Sequence, residues 1–328
     1  GKSYAGNPKY IYEYLVANGY DIKWDCIWFY EKDKYNIPGM SRQVQYGRMR
    51  YLYYMATAKI WVFDNRQPEF LIRRKDTYYI QTWHGTPLKK LALDMEDVFM
   101  VGETDINEYK KHFAKNVQTW DYLISQNAFS SETFARAFDF HKKMLEIGYP
   151  RNDILFRDNN EEAIKRHKKM LGLPADKKII LYAPTWRDDE FSEDDKYEFR
   201  PKISFEKLQE ELGDEYIMIV KYHYLIMDAV DWTPYEGFVY HFDQSRDIAE
   251  LFLVADLLVT DYSSVMFDYS ILKRPMFFFA YDFYKYKNEL RGFYFSYRKE
   301  MPGPISSTTE ELIRDIREYD GSLYEEKY

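Results

Sequence analysis

The sequence predicts an α/β protein built from two Rossmann-like domains that face one another across a cleft. Short runs rich in β-branched and aromatic residues alternate with longer stretches of helical period, an order typical of parallel sheets covered by helices. The alternation pauses between residues 150 and 175 and then restarts. A length of 328 residues also favours two cores over one. We therefore expect a first domain at residues 1–150 and a second at 151–328.

The first array is predicted to run helix, strand, helix, three strands, helix and a closing strand. Gly19 is placed to end the first helix, and Ser130 and Ser131 open a later helix with hydroxyls suited to capping. The predicted segments are 10–19, 22–30, 43–58, 59–64, 78–84, 121–126, 130–140 and 144–150.

The second array begins with a charged helix at 160–171 and a strand at 177–186. An acidic loop of low hydrophobicity follows at 187–199. The remaining predicted segments are a helix at 205–212, strands at 216–223 and 238–241, a helix at 247–255, a strand at 256–264, a helix at 265–273 and a strand at 275–282.

Composition excludes several classes of protein. The net charge of -8 argues against a surface that binds nucleic acid, and we expect no nucleic-acid partner. No stretch of roughly 18 apolar residues without charge is present, as a membrane span requires. The start of the sequence has no pattern of a secretory signal, and a single cysteine, Cys26, cannot form an intrachain disulfide. A reducing cytoplasmic compartment is therefore expected.

We expect no metal ion and no bound cofactor. The acidic loop carries six carboxylates between residues 188 and 195, but their spacing does not match a calcium loop and no glycine occupies the turn position. No Cys/His cluster indicates zinc, and neither a GxxxxGK[ST] nor a GxGxxG motif is present. The loop is better explained as a solvated segment.

Polar residues follow directly after five predicted strands. In doubly wound sheets, ligands bind outside the carboxyl ends of the strands, so these positions are the candidates for a site. They are 84–87, 148–153, 183–187, 221–223 and 260–264.

The residue types at these strand ends suit phosphate chemistry. Ser263 and Ser264 precede a helix, where hydroxyls and free N–H groups can hold a phosphate, and Asp268 lies one turn further along the same face. Arginine makes bidentate contacts with phosphate, whereas lysine offers a point charge. His84 and His223 are candidate bases, because imidazole titrates near neutral pH. The candidate cations are Arg151, Arg187 and Lys221.

Each of these residues also has an ordinary explanation. A serine before a helix is usually an N-cap, a histidine at a strand end is usually structural, and a single arginine or lysine is usually a surface residue. The two histidines at strand ends of different domains, with phosphate-binding groups beside them, favour a functional site over these separate explanations.

Five motifs taken together resemble the CDP-glycerol glycerophosphotransferase family, which includes the teichoic acid primases and polymerases. The motifs are QTWHGTPLKKL, GYPRND, APTWRD, VKYH and VTDYSSVMFDYSILKRPMFFF. The resemblance implies a GT-B fold, with an acceptor-side first domain and a second domain that binds the CDP-linked donor. In that arrangement the last helix can pack back on the first domain.

The resemblance implies transfer of glycerol phosphate, or a related polyol phosphate, from a CDP-linked donor to a hydroxyl of a membrane-linked polymer, with release of CMP. It assigns His84 as the base and His223 as the second essential histidine. Tyr224 follows His223 where the family usually has proline. The residues expected to bind substrate are Gly85, Thr86, Pro87, Arg151, Thr185, Trp186, Arg187, Lys221, Asp261, Ser263, Ser264 and Asp268.

Other functions stay open at the level of sequence. A CDP-ribitol donor, a GT-B sugar transferase or epimerase, and a non-catalytic nucleotide-binding module are the alternatives. The resemblance also implies synthesis of a wall or capsule polymer by a protein peripheral to the inner face of the membrane. The aromatic stretch 49–61 and the basic cluster 73–75 are candidate lipid contacts, although core packing and a solvated face explain them more simply.

Overall fold

The computed structural model describes residues 4–97, 105–185, 201–221, 230–242, 246–286 and 292–327. Its contacts divide the chain into two compact units. The first unit consists of Gly1–Thr86, Leu91–Asp94 and Asn107–Asp153. The second unit consists of Pro87–Lys90, Met95–Ile106 and Ile154–Tyr328.

The first unit contains a four-stranded parallel sheet of order β3-β4-β5-β6 and a separate parallel pair, β1-β2. Parallel pairing is what the alternating sequence pattern predicts, and it brings the carboxyl ends of neighbouring strands to one edge. The strands are β1 Cys26–Tyr30, β2 Ser41–Gln45, β3 Ile60–Phe63, β4 Tyr78–Gln81, β5 Tyr122–Ser125 and β6 Lys143–Glu146.

Two predictions for this unit are wrong in detail. The helix expected from residue 43 begins at Met49, because Ser41–Gln45 pairs with β1 as a strand and Gly47 turns the chain with φ +73°. The cap of the helix expected at 130–140 is Asn127, whose side chain accepts a hydrogen bond from the Ser130 N–H. The helices are α1 Gly6–Ala17, α2 Met49–Thr57, α3 Ile106–Val117 and α4 Ala128–Ala137.

An aromatic cluster forms part of the core of the first unit. Its members are all buried, and ring centroids lie between 4.7 and 6.5 Å apart. Such edge-on and tilted contacts add to the free energy of area burial. The aromatic cluster consists of Trp83, Phe113, Trp120, Phe134 and Phe138.

The second unit contains a six-stranded parallel sheet of order β12-β11-β10-β7-β8-β9. From β7 the chain builds outward to β8 and β9 and then returns to place β10 on the other side of β7. Successive strands are thus added on one side of β7 up to β9 and on its other side from β10 onward. The position between β7 and β10 is therefore the topological switch point, at which such sheets bind ligands. The strands are β7 Lys178–Tyr182, β8 Tyr216–Val220, β9 Val239–His241, β10 Leu257–Thr260, β11 Met276–Phe279 and β12 Ile305–Ser306.

Side-chain caps define the starts of four helices in the second unit. Asn160, Ser204, Asp247 and Thr308 each accept a hydrogen bond from a backbone N–H of the helix that follows. The last α-helix, α12, packs against β11, β12 and α7 of the same unit. The helices are α5 Asp153–Arg157, which crosses the junction, α6 Glu161–Met170, α7 Phe205–Leu212, α8 Ile248–Val254, α9 Val265–Tyr269, α10 Phe283–Lys285, α11 Tyr297–Glu300 and α12 Thr309–Arg317.

None of the helices within these described ranges is both long enough and apolar enough to cross a bilayer.

Candidate active site

His84 follows β4 and is presented by a strained turn. The preceding residue, Trp83, has φ +52°, a left-handed conformation that is unfavourable for a bulky side chain. Burial of the Trp83 ring in the aromatic cluster holds this conformation in place. The imidazole of His84 stacks on the same ring with centroids 4.6 Å apart and planes 22° from parallel. The packed indole therefore fixes the direction in which His84 points.

A backbone contact fixes the tautomer of His84. Its Nδ1 lies 2.7 Å from the carbonyl oxygen of Asp64, which directly follows the neighbouring strand β3. A carbonyl can only accept a hydrogen bond, so Nδ1 carries the proton. In the neutral ring, Nε2 then has the free lone pair, and this is the atom able to take a proton from a substrate.

The surroundings of His84 favour the neutral ring. The side chain is exposed to solvent but densely surrounded by protein atoms, and this desolvation lowers the pKa of His84 below its usual 6.5. The hydrogen bond to the Asp64 carbonyl and the Asp64 charge oppose that shift, while the charge of Arg151 adds to it. At neutral pH the imidazole is therefore unprotonated and available as a base.

Asn7 joins the His84 segment to a second loop of the first unit. Its side chain is only 1% exposed, and its Nδ2 donates to the carbonyl oxygens of Thr82, at 3.3 Å, and Trp83, at 3.0 Å. Its Oδ1 accepts a hydrogen bond from the backbone N–H of Arg151 at 3.2 Å. One buried amide therefore sets the spacing between His84 and Arg151.

The loop after β6 supports the same segment. The Tyr149 hydroxyl donates to the carbonyl oxygen of Gly85 at 3.0 Å, and the Arg151 guanidinium lies 5.2 Å from the centroid of the Tyr149 ring. Thr86 donates a hydrogen bond to the side chain of Gln126, which follows β5. The structure thus brings together four of the predicted residues in the first unit: His84, Gly85, Thr86 and Arg151.

In the second unit, Asp261 and Thr185 meet across the switch point between β7 and β10. Oδ1 of Asp261, which is 2% exposed, accepts a hydrogen bond from the Thr185 N–H at 2.8 Å. The Asp261 carbonyl in turn accepts from the Tyr297 hydroxyl at 2.9 Å. Hydrogen bonds therefore connect the carboxyl ends of β7 and β10 at the switch point, where the order of the strands leaves a crevice.

The two serines after Asp261 are not used as ordinary helix caps. Ser264 occupies the N-cap position of α9 without a side-chain capping bond, and Ser263 Oγ makes only a long contact of 3.4 Å with the Val265 N–H. Both side chains are partly exposed, while Asp268 below them is buried. Capping of α9 therefore does not account for the two serines, and their hydroxyls are accessible to a ligand.

Lys221 follows β8, the neighbour of β7, so that it lies at the same edge of the sheet as Thr185. Its Nζ donates to the Arg246 carbonyl at 3.1 Å.

Pro87, another predicted site residue, is buried and belongs to the second unit. The two residues that follow it on either side of Lys89 make backbone hydrogen bonds there: the Leu88 carbonyl accepts from the Tyr294 N–H, and the Lys90 N–H donates to the Gly292 carbonyl. The segment after His84 is therefore extended chain.

Several predicted features lie outside the described residues. These are Trp186, Arg187, His223 and the acidic loop, and their predicted roles stay predictions. Within the described ranges, no group of three or more His, Cys, Asp or Glu side chains is placed to hold a metal ion.

The two arginines of the basic cluster 73–75 make structural contacts. Arg73 donates to the carbonyls of Thr119 and Thr77 and pairs with Asp121 at 2.8 Å. Arg74 donates to the Thr57 carbonyl at 3.1 Å. Both arginines are therefore held by the first unit itself.

The residues that support the base are not among those predicted from the sequence. Asp64 and Gln126 each close a predicted strand, and that position is a signal in the sequence by which both residues can be found. Asn7 and Tyr149 act through long-range contacts that no local pattern reveals. The sequence predicts Trp83 as a strand residue, since a positive φ is rare for a bulky side chain and cannot be inferred from a tryptophan.

A family model described as CDP-glycerol:poly(glycerophosphate) glycerophosphotransferase matches residues 1–328. The teichoic acid poly(glycerol phosphate) polymerase of Bacillus subtilis (strain 168) is 48% identical over 327 residues, which cover 99% of this chain and 43% of the relative. The teichoic acid poly(ribitol-phosphate) polymerase of Bacillus spizizenii is 32% identical over 319 residues, or 95% of this chain and 49% of the relative. The chain thus spans about half the length of these curated relatives.

A solved structure of the wall teichoic acid polymerase TagF superposes with a TM-score of 0.92 at 46% identity, covering 100% of this chain and 80% of that one. A UDP-N-acetylglucosamine 2-epimerase-like structure from Listeria monocytogenes, at 10% identity and a TM-score of 0.54 over 98% of this chain and 88% of that one, shares the fold alone. The predicted GT-B-like fold is confirmed by these likenesses. The chain belongs to the CDP-glycerol:poly(glycerophosphate) glycerophosphotransferase family.

Proposed function

We propose that this chain transfers glycerol phosphate from CDP-glycerol to the terminal hydroxyl of a poly(glycerol phosphate) acceptor and releases CMP. The observation that carries the proposal is the fixed Nδ1–H tautomer of His84, which leaves Nε2 free as a base. Family membership supplies the substrate class. A TagF structure soaked with CDPG, with a TM-score of 0.92, supports the donor.

The proposed reaction is a single displacement at phosphorus. Nε2 of His84 takes the proton of the acceptor hydroxyl, and the resulting oxygen forms a bond to the β-phosphorus of the donor. The bond between that phosphorus and the CMP oxygen breaks, and CMP leaves with the electron pair. The protein contributes mainly positioning and charge stabilisation, as is general in phosphoryl transfer.

The strand ends of the second unit are proposed to hold the CDP-linked donor. The hydrogen bond from Thr185 to Asp261 sets the shape of the switch point, and the hydroxyls of Ser263 and Ser264 face a phosphate there. Asp268 is assigned to a hydroxyl of the donor, since a carboxylate would repel phosphate. Lys221 adds positive charge; Trp186, Arg187 and His223 complete the predicted donor set.

Glycerol is favoured over ribitol as the polyol. The poly(glycerol phosphate) polymerase of B. subtilis is 48% identical to this chain, whereas the poly(ribitol-phosphate) polymerase is 32% identical. The similarity to the B. subtilis polymerase also favours the growth of a polymer over the addition of a single unit.

One experiment separates this function from the alternatives. CDP-glycerol, CDP-ribitol and UDP-sugars are offered in parallel with an acceptor that ends in glycerol phosphate, and nucleotide release and polymer length are measured. We expect CMP release and chain growth with CDP-glycerol. Faster turnover of CDP-ribitol would identify a ribitol enzyme, reaction with a UDP-sugar alone would identify a sugar transferase, and donor binding without turnover would identify a binding module.

We propose that the reaction needs no metal ion, because cationic side chains and the N–H groups at the strand ends can offset the developing charge. A chelator should leave the rate of CMP release unchanged. Loss of activity with EDTA that magnesium restores would contradict this.

We further propose that α2 touches the inner face of the membrane, where a lipid-linked acceptor would lie. Tyr51 and Met55 of α2 are buried, whereas Met49, Leu52 and Tyr53 are 82%, 42% and 61% exposed. Arg48 and Arg50 beside them are also exposed, and a basic, apolar helix face suits anionic lipid. Replacing Met49 and Tyr53 with glutamate should reduce sedimentation with anionic vesicles without loss of CMP release from a water-soluble acceptor; unchanged sedimentation would contradict it.

A further inference from the structure

Arg66 follows β3 in the first unit and is supported by the same aromatic cluster as His84. Its guanidinium lies 4.8 Å from the centroid of the Phe113 ring and 5.5 Å from that of the Tyr109 ring, both on α3. Phe113 contacts Trp83 with ring centroids 6.4 Å apart, and the imidazole of His84 stacks on Trp83. The side chains of the base and of this arginine therefore rest on one set of packed rings.

Buried amide side chains hold the backbone on both sides of Arg66. Nε2 of Gln81 donates to the carbonyl oxygen of Asn65 at 3.2 Å, and Gln81 is fully buried. Nδ2 of Asn116, which is also buried, donates to the carbonyl oxygen of Gln67 at 2.7 Å. The position of Arg66 is therefore fixed in the protein before any ligand binds, which lowers the entropic cost of using it.

The guanidinium of Arg66 is available to an anion. The side chain is exposed, and among the residues that the structure describes it donates to no protein acceptor and pairs with no carboxylate. The rings of Tyr109 and Phe113 attract the cation without neutralising its charge. The planar fork of an arginine held in this way suits two parallel hydrogen bonds to phosphate oxygens.

The arginine and the base lie at the same edge of the first sheet. The carbonyl of Asp64, two residues before Arg66, accepts the hydrogen bond from Nδ1 of His84. In a poly(glycerol phosphate) chain, a negative phosphodiester is attached to every glycerol unit, including the unit that bears the terminal hydroxyl. A chain whose terminal hydroxyl lies at His84 therefore brings phosphodiesters into the surroundings of the base, where Arg66 supplies a positive charge.

We propose that Arg66 binds a phosphodiester of the acceptor close to its terminal hydroxyl, and that it thereby selects an anionic polymer as the acceptor. This rests on the proposed function, and it concerns a residue outside the five motifs that carry the family resemblance. Arg66 and His84 belong to the first unit, whereas the strand ends proposed to hold the donor belong to the second. Arg66 is thus an acceptor-binding residue.

The test compares two acceptors that differ in charge near the reactive end. One has phosphodiesters at its last two linkages, and the other has uncharged methylphosphonates at both. With wild-type protein, we expect the acceptor KM to be roughly 10- to 100-fold higher for the methylphosphonate acceptor, as for loss of charge-assisted hydrogen bonds. In Arg66→Gln the two acceptors should have KM values within about threefold of each other, with the KM for CDP-glycerol unchanged.

Two further variants sharpen the test. Arg66→Lys keeps the charge but lacks the planar fork, so it should discriminate between the acceptors to an intermediate extent. Arg66→Met keeps an apolar stem against the rings and should behave as Arg66→Gln does. The methionine variant decides the matter if the glutamine variant does not fold.

Lys111→Gln is the matched control for the loss of one positive charge. Lys111 is exposed on α3, two residues from both Tyr109 and Phe113, and this spacing places it on the opposite face of the helix. The variant should discriminate between the acceptors as the wild type does. An equal loss of discrimination in Lys111→Gln and Arg66→Gln would indicate general attraction of a polyanion and would overturn the proposal.

Other results would also overturn it. Equal KM values for both acceptors in the wild type would show that charge near the reactive end is not recognised, and full discrimination in Arg66→Gln would show that another group recognises it. An increased KM for CDP-glycerol with full acceptor discrimination in Arg66→Gln would assign the residue to the donor. Failure of the proposed function is a separate result: the wild type would then release no CMP from CDP-glycerol with either acceptor.

Discussion

The strand end that carries His84 and the strand end that carries Ser263 and Ser264 are held in different ways. In the first unit, side chains distant in sequence hold the base: Asn7 and Tyr149 bond to its segment, and the aromatic cluster packs beneath it. In the second unit, the serines lie shortly after the end of β10, and the order of the strands creates a crevice at that edge of the sheet. The order of the strands therefore gives the position of the serines, whereas the position of His84 depends on side-chain contacts from distant parts of the first unit.

This difference matches the demands on the two sites. A base must hold one atom in line with one proton, and small displacements reduce the rate steeply. A phosphate site can use several hydroxyl and N–H donors, none of which is essential alone. We therefore expect single substitutions around His84 to cost more than those around the serines.

The largest effect should follow removal of the base itself. His84→Ala should reduce the rate of CMP release by roughly 10²- to 10⁴-fold, the usual contribution of general base catalysis, while CDP-glycerol binding measured by calorimetry stays unchanged. His141→Ala is the matched control, because that side chain is 78% exposed in the same unit. Near-normal turnover in His84→Ala would remove the general-base assignment.

Loss of the packed indole should come next. Trp83→Ala should lower the free energy of unfolding by about 3–5 kcal/mol, the usual cost of truncating a buried aromatic side chain, as measured by urea denaturation. Trp24, which is 48% exposed, provides the control, and Trp24→Ala should cost about 0.5 kcal/mol or less. Equal costs for the two variants would show that the aromatic cluster does not anchor the turn.

Loss of the buried amide should have a smaller effect on stability but a specific effect on rate. Asn7→Ala leaves the Arg151 N–H and two carbonyls without their side-chain partner, at a cost of about 1–3 kcal/mol. The kcat should fall while the KM for CDP-glycerol does not change.

Asn18→Ala is the control for Asn7, because Asn18 flanks the other end of α1 in an exposed position. If both variants have the same kcat, Asn7 does not position the base.

The smallest change in stability is expected at the serines. Changing Ser263 and Ser264 together to alanine should raise the KM for CDP-glycerol roughly tenfold and change the free energy of unfolding by no more than about 0.5 kcal/mol. Ser204 caps α7 through Lys207 N–H, so Ser204→Ala should show the reverse: a loss of about 1 kcal/mol and an unchanged KM. A donor KM unaffected by the double change would show that the serines do not contact the donor.

Much of the fold could be predicted from the sequence because hydrophobic period is a local signal. The sequence pattern places the strands from β3 to β11 to within a few residues, and the alternation of strands with helices along most of the chain predicts their parallel pairing. The region around β2 was predicted as helix, because five residues of mixed polarity become a strand only through pairing with β1. The sequence pattern gives no bounds for α3 and α12, because charged residues interrupt the hydrophobic period there, and β12 is only two residues long.

The site was predictable to a similar extent. His84 could be singled out from its place after a strand, and Asp261, Ser263 and Ser264 from theirs. What surrounds His84 could not, because Asn7 is 76 residues away from Trp83 and Tyr149 is 64 residues away from Gly85. Contacts over such separations depend on the completed fold, so they became visible only in the structure.

The central claim is that the Asp64 carbonyl and the surroundings of His84 produce a neutral base with a free Nε2. Nitrogen-15 NMR of the histidine side chains measures this directly, with His84→Ala to assign the signals. We expect the Nδ1–H tautomer and a pKa below 6.5 for His84, so that the midpoint of protonation, and with it the midpoint of the loss of CMP release at low pH, lies below pH 6.5. An Nε2–H tautomer, or a pKa above 6.5, would contradict the account.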